Sequence, residues 1–358
     1  MAKVTFLIGN GFDLACGLRS RYLDSYDSYI HSESKDAVIN EFKNAIENDI
    51  STWGDFEMRL ADYAKQLNSS AELIACLRDY TQFLSDYLMK EQQNFWNKNE
   101  TLIETNNEIL KEMGRSLTAF FNLPSQNDVN EIDAVLRRDP KMYYSFISFN
   151  YTNIFDRLLH AAHINGNIYM GVTVDPAFKI VHIHGLLGEA VTLGLDNEDQ
   201  VSETPYHLDH RSRRTLIKPA FLNSYDYNRV EMAKELIMES DIICTYGLSL
   251  GDSDLTWRKQ LASWLQSGDS HHLVYYNYNY MNKKYHSTAI TEKMDDEEDC
   301  KEAFFPVLFS ETPVLQNKEE LVRKIHIPVG ASIFNIEQAI NKEVELAQKR
   351  EAIKSRLE

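Results

Sequence analysis

Residues Lys3 to Ile8 (KVTFLI) are mostly apolar or β-branched on both faces. That is the pattern of a strand covered on both sides in a parallel sheet. Gly9-Asn10-Gly11-Phe12-Asp13 follows at once, with a break at Gly17 and a helical run from Arg21 to Ile30. The same strand pattern returns at Tyr143 to Phe149, Ile180 to Ile183, Ile242 to Tyr246 and Leu273 to Tyr276. Helical runs at Asn153 to His163 and Tyr227 to Ser240 lie between them. Strands alternating with helices predict an α/β fold with a Rossmann-like, doubly wound and mostly parallel sheet.

From about Asp36 to Glu131 the pattern changes. Apolar residues recur at three- and four-residue spacing, as in Phe56, Leu60, Tyr63, Leu67 and Leu73, Leu77, Tyr80, Leu84, Leu88. Strand signals are absent there, so this stretch reads as several antiparallel helices inserted into the α/β unit. The expected organisation is an α/β nucleotide-binding domain from residues 1–35 and 140–330, a helical insertion at 36–139 and a C-terminal helix at 331–358. Met294 to Asp299 (MDDEED) reads as an acidic solvated loop, and Ile333 to Leu357 as an amphipathic, highly charged helix. That tail packs on its own subunit or forms an oligomer contact.

The chain has 358 residues, 43% hydrophobic and 25% charged, enough to bury a core without cross-links. Its formal net charge of −17 disfavours a broad nucleic-acid surface, since such surfaces cluster Lys and Arg. Only Arg211, Arg213 and Arg214 hint at a basic patch. A small anion can still be held by backbone N–H groups. Cys16, Cys76, Cys244 and Cys300 lack zinc-site spacing and read as scattered thiols, as in a reducing cytoplasm. No signal peptide and no membrane span is expected.

Four loops follow four predicted strands. In 9–13, the first glycine allows a tight turn and the second lets backbone approach a pyrophosphate. Leu14 stands where the dinucleotide fingerprint has its third glycine, which breaks the standard fingerprint; the alternative to phosphate contact is a structural turn with Asp13 as a helix N-cap. In SFNYTN at 148–153, Asn150 offers donor and acceptor to a ribose hydroxyl or a water; Thr152 suits a helix N-cap. In HIHG at 182–185, His184 is a candidate general base. A metal held by His182, His184, His207 and His210 is disfavoured, because no acidic ligand lies at suitable spacing. In GLSLGDSD at 247–254, Gly247, Ser249 and Asp252 form a polar loop, and Asn277 after the next strand is placed to reach an adenosine ribose. WGDFE at 53–57 lies in the helical block, where Glu57 either points into the site or, as the better reading, lies on a solvated helix face. Open sheets gather such loops along one edge.

GNGFDLACGL at 9–18, WGDFE at 53–57, FNYTN at 149–153, HIHG at 182–185 and GLSLGDSD at 247–254 together resemble the AbiH family of bacterial abortive-infection proteins. That family in turn is similar to sirtuin-like NAD-binding domains. The sirtuin glycine loop aligns with Gly9 to Leu18, including Gly17. Its catalytic His-Gly aligns with His184-Gly185, its Gln-Asn-Ile-Asp with Phe149 to Thr152, and its Gly-Thr-Ser-Leu with Gly247 to Leu250. Thr152 replaces an Asp, Arg19 and Ser20 replace Pro-Asp, and the zinc-binding cysteines are missing.

The resemblance implies an anti-phage effector that takes NAD as its substrate, without a metal. Asn150 and His184 are the expected catalytic pair. Gly9, Asn10, Gly11, Phe12, Asp13, Gly17, Gly247, Ser249, Asp252 and Asn277 are the expected cofactor contacts. The products would be nicotinamide and ADP-ribose. A non-catalytic NAD or ADP-ribose sensor remains open, as does a nucleic-acid-directed toxin. A homo-oligomer or a defence-system partner protein is the expected assembly.

Overall fold

A computed structural model describes residues 2–105, 107–123, 125–136, 142–164, 180–225, 227–277 and 290–357. Six strands form one sheet in which every pairing is parallel: β1 (Ala2–Ile8), β2 (Met142–Ser148), β3 (Ile180–His182), β4 (Ile242–Tyr246), β5 (His272–Tyr276) and β6 (Ile325–His326). Their order is β3-β2-β1-β4-β5-β6. The chain starts in the middle, builds outward to β3, then returns and builds the other half. The direction of winding therefore reverses between β1 and β4.

Register levels the strand ends. Ile8 pairs with Ser148 and with Tyr246, Ser148 with His182, and Tyr246 with Tyr276. The loops beginning at Gly9, Phe149, Ile183, Gly247 and Asn277 consequently leave the sheet along one edge.

Successive side chains alternate between the two faces. Val4, Phe6 and Ile8 of β1 join Phe146, Cys244 and Val274 in one core, closed by the helices Gly11–Ala15, Asn107–Leu117 and Ile154–Ile164. Leu7, Ile147, Ile243 and Leu273 face the opposite core, under the helices Tyr227–Met238, Leu255–Ser267 and Ile290–Leu308. Both faces are thus covered, which is why the strands are mostly apolar on both sides.

The helical stretch divides between two cores. Tyr26, Phe42, Trp53, Phe56, Tyr63 and Tyr80 form a third, aromatic cluster, with Phe56 stacked on Tyr80 at 4.1 Å. Leu193, Leu195, Leu216 and Ile217, which follow β3 in sequence, complete it. The helix Ser70–Thr105 runs for 36 residues and links the regions. Its Leu73 to Leu88 belong to the aromatic cluster, and its Phe95, Trp96 and Ile103 to the sheet core.

Several expectations need correction. Residues 294–299 are helical, inside Ile290–Leu308, because Cys300, Phe304, Phe305 and Leu308 give that acidic segment a buried face. β6 carries no sequence signal, being two residues long. The tail helix begins at Ile336, three residues later than its charge pattern suggested, because Ile333 and Phe334 enter the core as irregular chain, Phe334 at φ +52°. The boundary placed at residues 139 and 140 lies outside the described residues. All four cysteines are free and buried. Among the described residues, no helix is long and apolar enough to cross a membrane.

Candidate functional site

Two cavities adjoin at the edge where the strands end. The smaller, about 440 Å³, lies between the β1, β2, β3 and β4 loops and the helical stretch. The larger, about 1030 Å³, lies toward β5 and the tail helix Ile336–Leu357. They share Asn10, Gly247, Leu248 and Ser249, which form the ridge between them.

Glycine makes that ridge possible. The Gly11 N–H donates to the Gly247 carbonyl at 3.1 Å, and the Gly9 N–H to Tyr246 at 2.8 Å. A Cβ on Gly11 would lie 2.4 Å from the Gly247 Cα, and one on Gly9 would lie 2.5 Å from the Gly247 oxygen. Gly247 itself has φ +70°. The glycines therefore let two loops touch backbone to backbone. The Phe12 N–H turns back to the Gly9 carbonyl, while its ring packs edge-on against Phe155 and Phe334 in the core.

Asp13 is not a helix N-cap. It sits inside the short helix Gly11–Ala15, buried, and it organises the β2 loop. Thr152 Oγ1 donates to its carboxylate at 2.8 Å, so Thr152 is not a cap either. Asn150 Nδ2 donates to Asp13 Oδ1 at 3.2 Å. That bond fixes the amide, and Asn150 Oδ1 is left buried with no partner among the described residues, in a side chain 3% exposed on the cavity wall. A buried acceptor without a donor is costly unless a ligand or water supplies one. Burial pushes the Asp13 carboxyl up to about 7, against the Thr152 and Asn150 hydrogen bonds, which favour the anion.

His182 and His184 do different work. His182, at the end of β3, places Nδ1 3.2 Å from the Asn150 carbonyl oxygen and Nε2 2.8 Å from Asp156, so it steadies the Asn150 backbone. His184 lies past the strand and lines the smaller cavity. Its Nδ1 is 3.2 Å from the Phe149 carbonyl oxygen. A carbonyl only accepts, so Nδ1 carries the proton and Nε2 presents a lone pair. Burial, with the nearby Lys218 charge, lowers this imidazole to about 3. It is neutral at pH 7 and a weak base.

Glu57 corrects its reading as a solvated helix residue. Phe56 points into the aromatic cluster, which turns Glu57, 5% exposed, onto the cavity wall. Its Oε2 accepts from Lys218 Nζ at 2.7 Å, and Lys218 also donates to the Ser253 carbonyl at 2.9 Å. Burial raises the Glu57 carboxyl; the neighbouring Glu57 and Asp254 charges raise Lys218 and outweigh its burial. The partners lie 161 residues apart, so no local pattern announces them.

The remaining residues separate. Asn10 bonds Ser20 twice, through Nδ2 to its carbonyl and Oδ1 from its hydroxyl. Gly17, at φ +83°, and Asn277 line the larger cavity only. Ser249 lines both cavities. The Asp252 side chain is 75% exposed, pairs with Arg258, and lines neither cavity. Arg19, which stands where the sirtuin loop has Pro, and Arg21 line the larger one. Among the described residues, no group of three His, Cys, Asp or Glu could hold a metal ion.

No curated protein and no solved structure matches the chain. A family model, bacteriophage abortive infection AbiH, matches residues 5–276. That span contains every residue lining the smaller cavity. The chain belongs to the AbiH family of bacteriophage abortive infection proteins.

Proposed function

We propose that this AbiH protein is a cytoplasmic NAD glycohydrolase that acts in phage abortive infection by releasing nicotinamide from NAD. The reading rests above all on Asn150 and His184 sharing one cavity wall, with the amide oxygen unpartnered. The strand order, reversing between β1 and β4, is that of Rossmann-like dinucleotide-binding sheets, whose ligands sit at the reversal. The similarity of Asn150, His184-Gly185 and Gly247 to Leu250 to sirtuin-like motifs points the same way.

In this reading the pyrophosphate lies over the Gly247–Ser249 ridge, near Arg19 and Arg21. The adenosine occupies the larger cavity beside Asn277, and the nicotinamide riboside enters the smaller one. Water oxygen bonds to the anomeric carbon as the carbon–nitrogen bond breaks. The electron pair of that bond neutralises the pyridinium, so the leaving group needs no proton. The transition state resembles an oxocarbenium ion, as in other glycosidic cleavages. His184 Nε2 accepts a hydrogen bond from a ribose hydroxyl. The proton lost by water passes to Asp13, which is better matched to neutral pH than His184.

A second reading is a non-catalytic NAD or ADP-ribose sensor, coupled to a homo-oligomer or a defence-system partner. Asp55, Glu57, Leu84 and Leu88 of the helical stretch wall the cavity, which gives a ligand direct contact with that region. Nicotinamide release separates the two. Purified full chain is incubated with NAD, with and without an infection-derived trigger, beside His184→Ala and Asn150→Ala. Turnover lost in both variants supports the hydrolase; tight binding without turnover under any trigger supports the sensor.

A further inference from the structure

The smaller cavity has an unusual lining for a phosphate-bearing ligand. Four carboxylates reach its wall: Asp13, Asp55, Glu57 and Asp254. The ammonium of Lys218 stands behind the wall, on Glu57. Arg19 and Arg21 serve the larger cavity instead. Three aromatic side chains, Tyr22, Phe149 and Tyr151, share the smaller cavity's wall with the acids. The ring of Tyr151 lies 5.9 Å from that of His184, and the ring of Phe149 5.6 Å from it. Asn150 Oδ1 adds a buried acceptor with no donor among the described residues.

Aromatic faces and carboxylates attract the same ligand chemistry, a positive charge spread over a flat ring. An unpartnered amide oxygen beside them suits an N–H or O–H donor on that ligand. We infer that this cavity is a receptor for a cationic aromatic head, the oxidised pyridinium ring, and that it discriminates against the reduced, uncharged ring. The identity of the ring rests on the dinucleotide reading; its charge rests on the lining alone. Burial raises the Asp13, Glu57 and Asp254 carboxyls, and a cation bound beside them favours their ionised form and offsets that burial.

The experiment is calorimetric titration of the full chain with three probes: oxidised NAD as its carbocyclic analogue, whose bond to nicotinamide does not hydrolyse, NADH, and N-methylnicotinamidium, which carries the charged ring without nucleotide. Oxidised NAD is expected to bind at least about tenfold more tightly than NADH, the scale of one desolvated cation–π contact. N-methylnicotinamidium is expected to bind weakly but measurably. Asp254→Asn and Asp55→Asn, which change charge with little change in shape, should each narrow the NAD to NADH ratio several-fold while the thermal unfolding midpoint stays near that of wild type. Equal affinity for NAD and NADH overturns the charge inference and leaves the dinucleotide reading standing. Binding of N-methylnicotinamidium without either dinucleotide supports the inference and overturns the dinucleotide reading. No binding by any probe overturns both.

Discussion

The Asn150 side chain and the Asp13 carboxylate, 137 residues apart, meet across 3.2 Å, and that contact sets the direction of the amide. Nδ2 points at Asp13 because a carboxylate accepts, and Oδ1 is thereby left for a ligand. Thr152 completes the arrangement from the same loop. Thr152→Val is expected to cost about 1–3 kcal/mol, since it removes the hydroxyl from a buried carboxylate. Urea unfolding of the two proteins measures it; a difference below about 0.5 kcal/mol would mean the Thr152 bond is not a stabilising one.

Asp13 also makes a prediction about pH. Its carboxyl titrates near 7 when folded, against 3.8 for an unperturbed aspartate, as in the unfolded chain. The folded protein therefore binds more protons between those values. The stability linked to this group is full below 3.8 and is lost as pH rises through about 7. Asp13→Asn removes this titration. Denaturation midpoints measured from about pH 5 to about pH 8 should fall less steeply in the variant. Glu57 and Asp254, raised in the same direction by burial, keep part of the slope. Parallel slopes in wild type and variant would contradict the assignment.

The contact between Gly11 and Gly247 predicts an asymmetry among glycines. A methyl on Gly11 meets backbone at 2.4 Å, whereas the nearest atom to one on Gly251 is a side-chain oxygen at 3.6 Å. Gly11→Ala should destabilise by at least about 1–3 kcal/mol, the usual cost of overpacking. Gly251→Ala should lie within about 0.5 kcal/mol of wild type. Thermal unfolding of both variants decides it, and similar midpoints would show that the loops can move apart freely.

These cases show what could be read from residues alone. Two-sided apolar strands such as KVTFLI are legible, because burial on both faces leaves no polar alternation. Given those strands, the gathering of Gly9, Asn150, His184 and Gly247 along one edge follows from the geometry of open sheets. Partners distant in the chain were not legible. Nothing near Glu57 announces Lys218, and nothing near Gly11 announces Gly247. Asp13 takes Asn150 and Thr152, 137 and 139 residues away, in place of the helix N-cap that its position just past a glycine loop offers locally. The acidic run at 294–299 misled for a related reason: its buried face is supplied by apolar residues further along the same helix.

Arg19 and Arg21 predict how charge is shared between the cavities. Replacing Arg21 by Glu should weaken dinucleotide binding about tenfold or more at low salt, with the difference shrinking as ionic strength rises. N-methylnicotinamidium, which has no phosphate, should bind the variant as it binds wild type. Equal weakening of both ligands would indicate general damage to the fold and remove these arginines from the phosphate path.

The most direct measurement is a crystal structure of the full chain with a carbocyclic NAD analogue, whose bond to nicotinamide does not hydrolyse. The nicotinamide should lie in the smaller cavity with a donor on Asn150 Oδ1, and the pyrophosphate should cross the Gly247–Ser249 ridge toward Arg19 and Arg21. An analogue bound with its adenine in the acidic cavity, or bound away from the β1 and β4 loops altogether, would contradict the account.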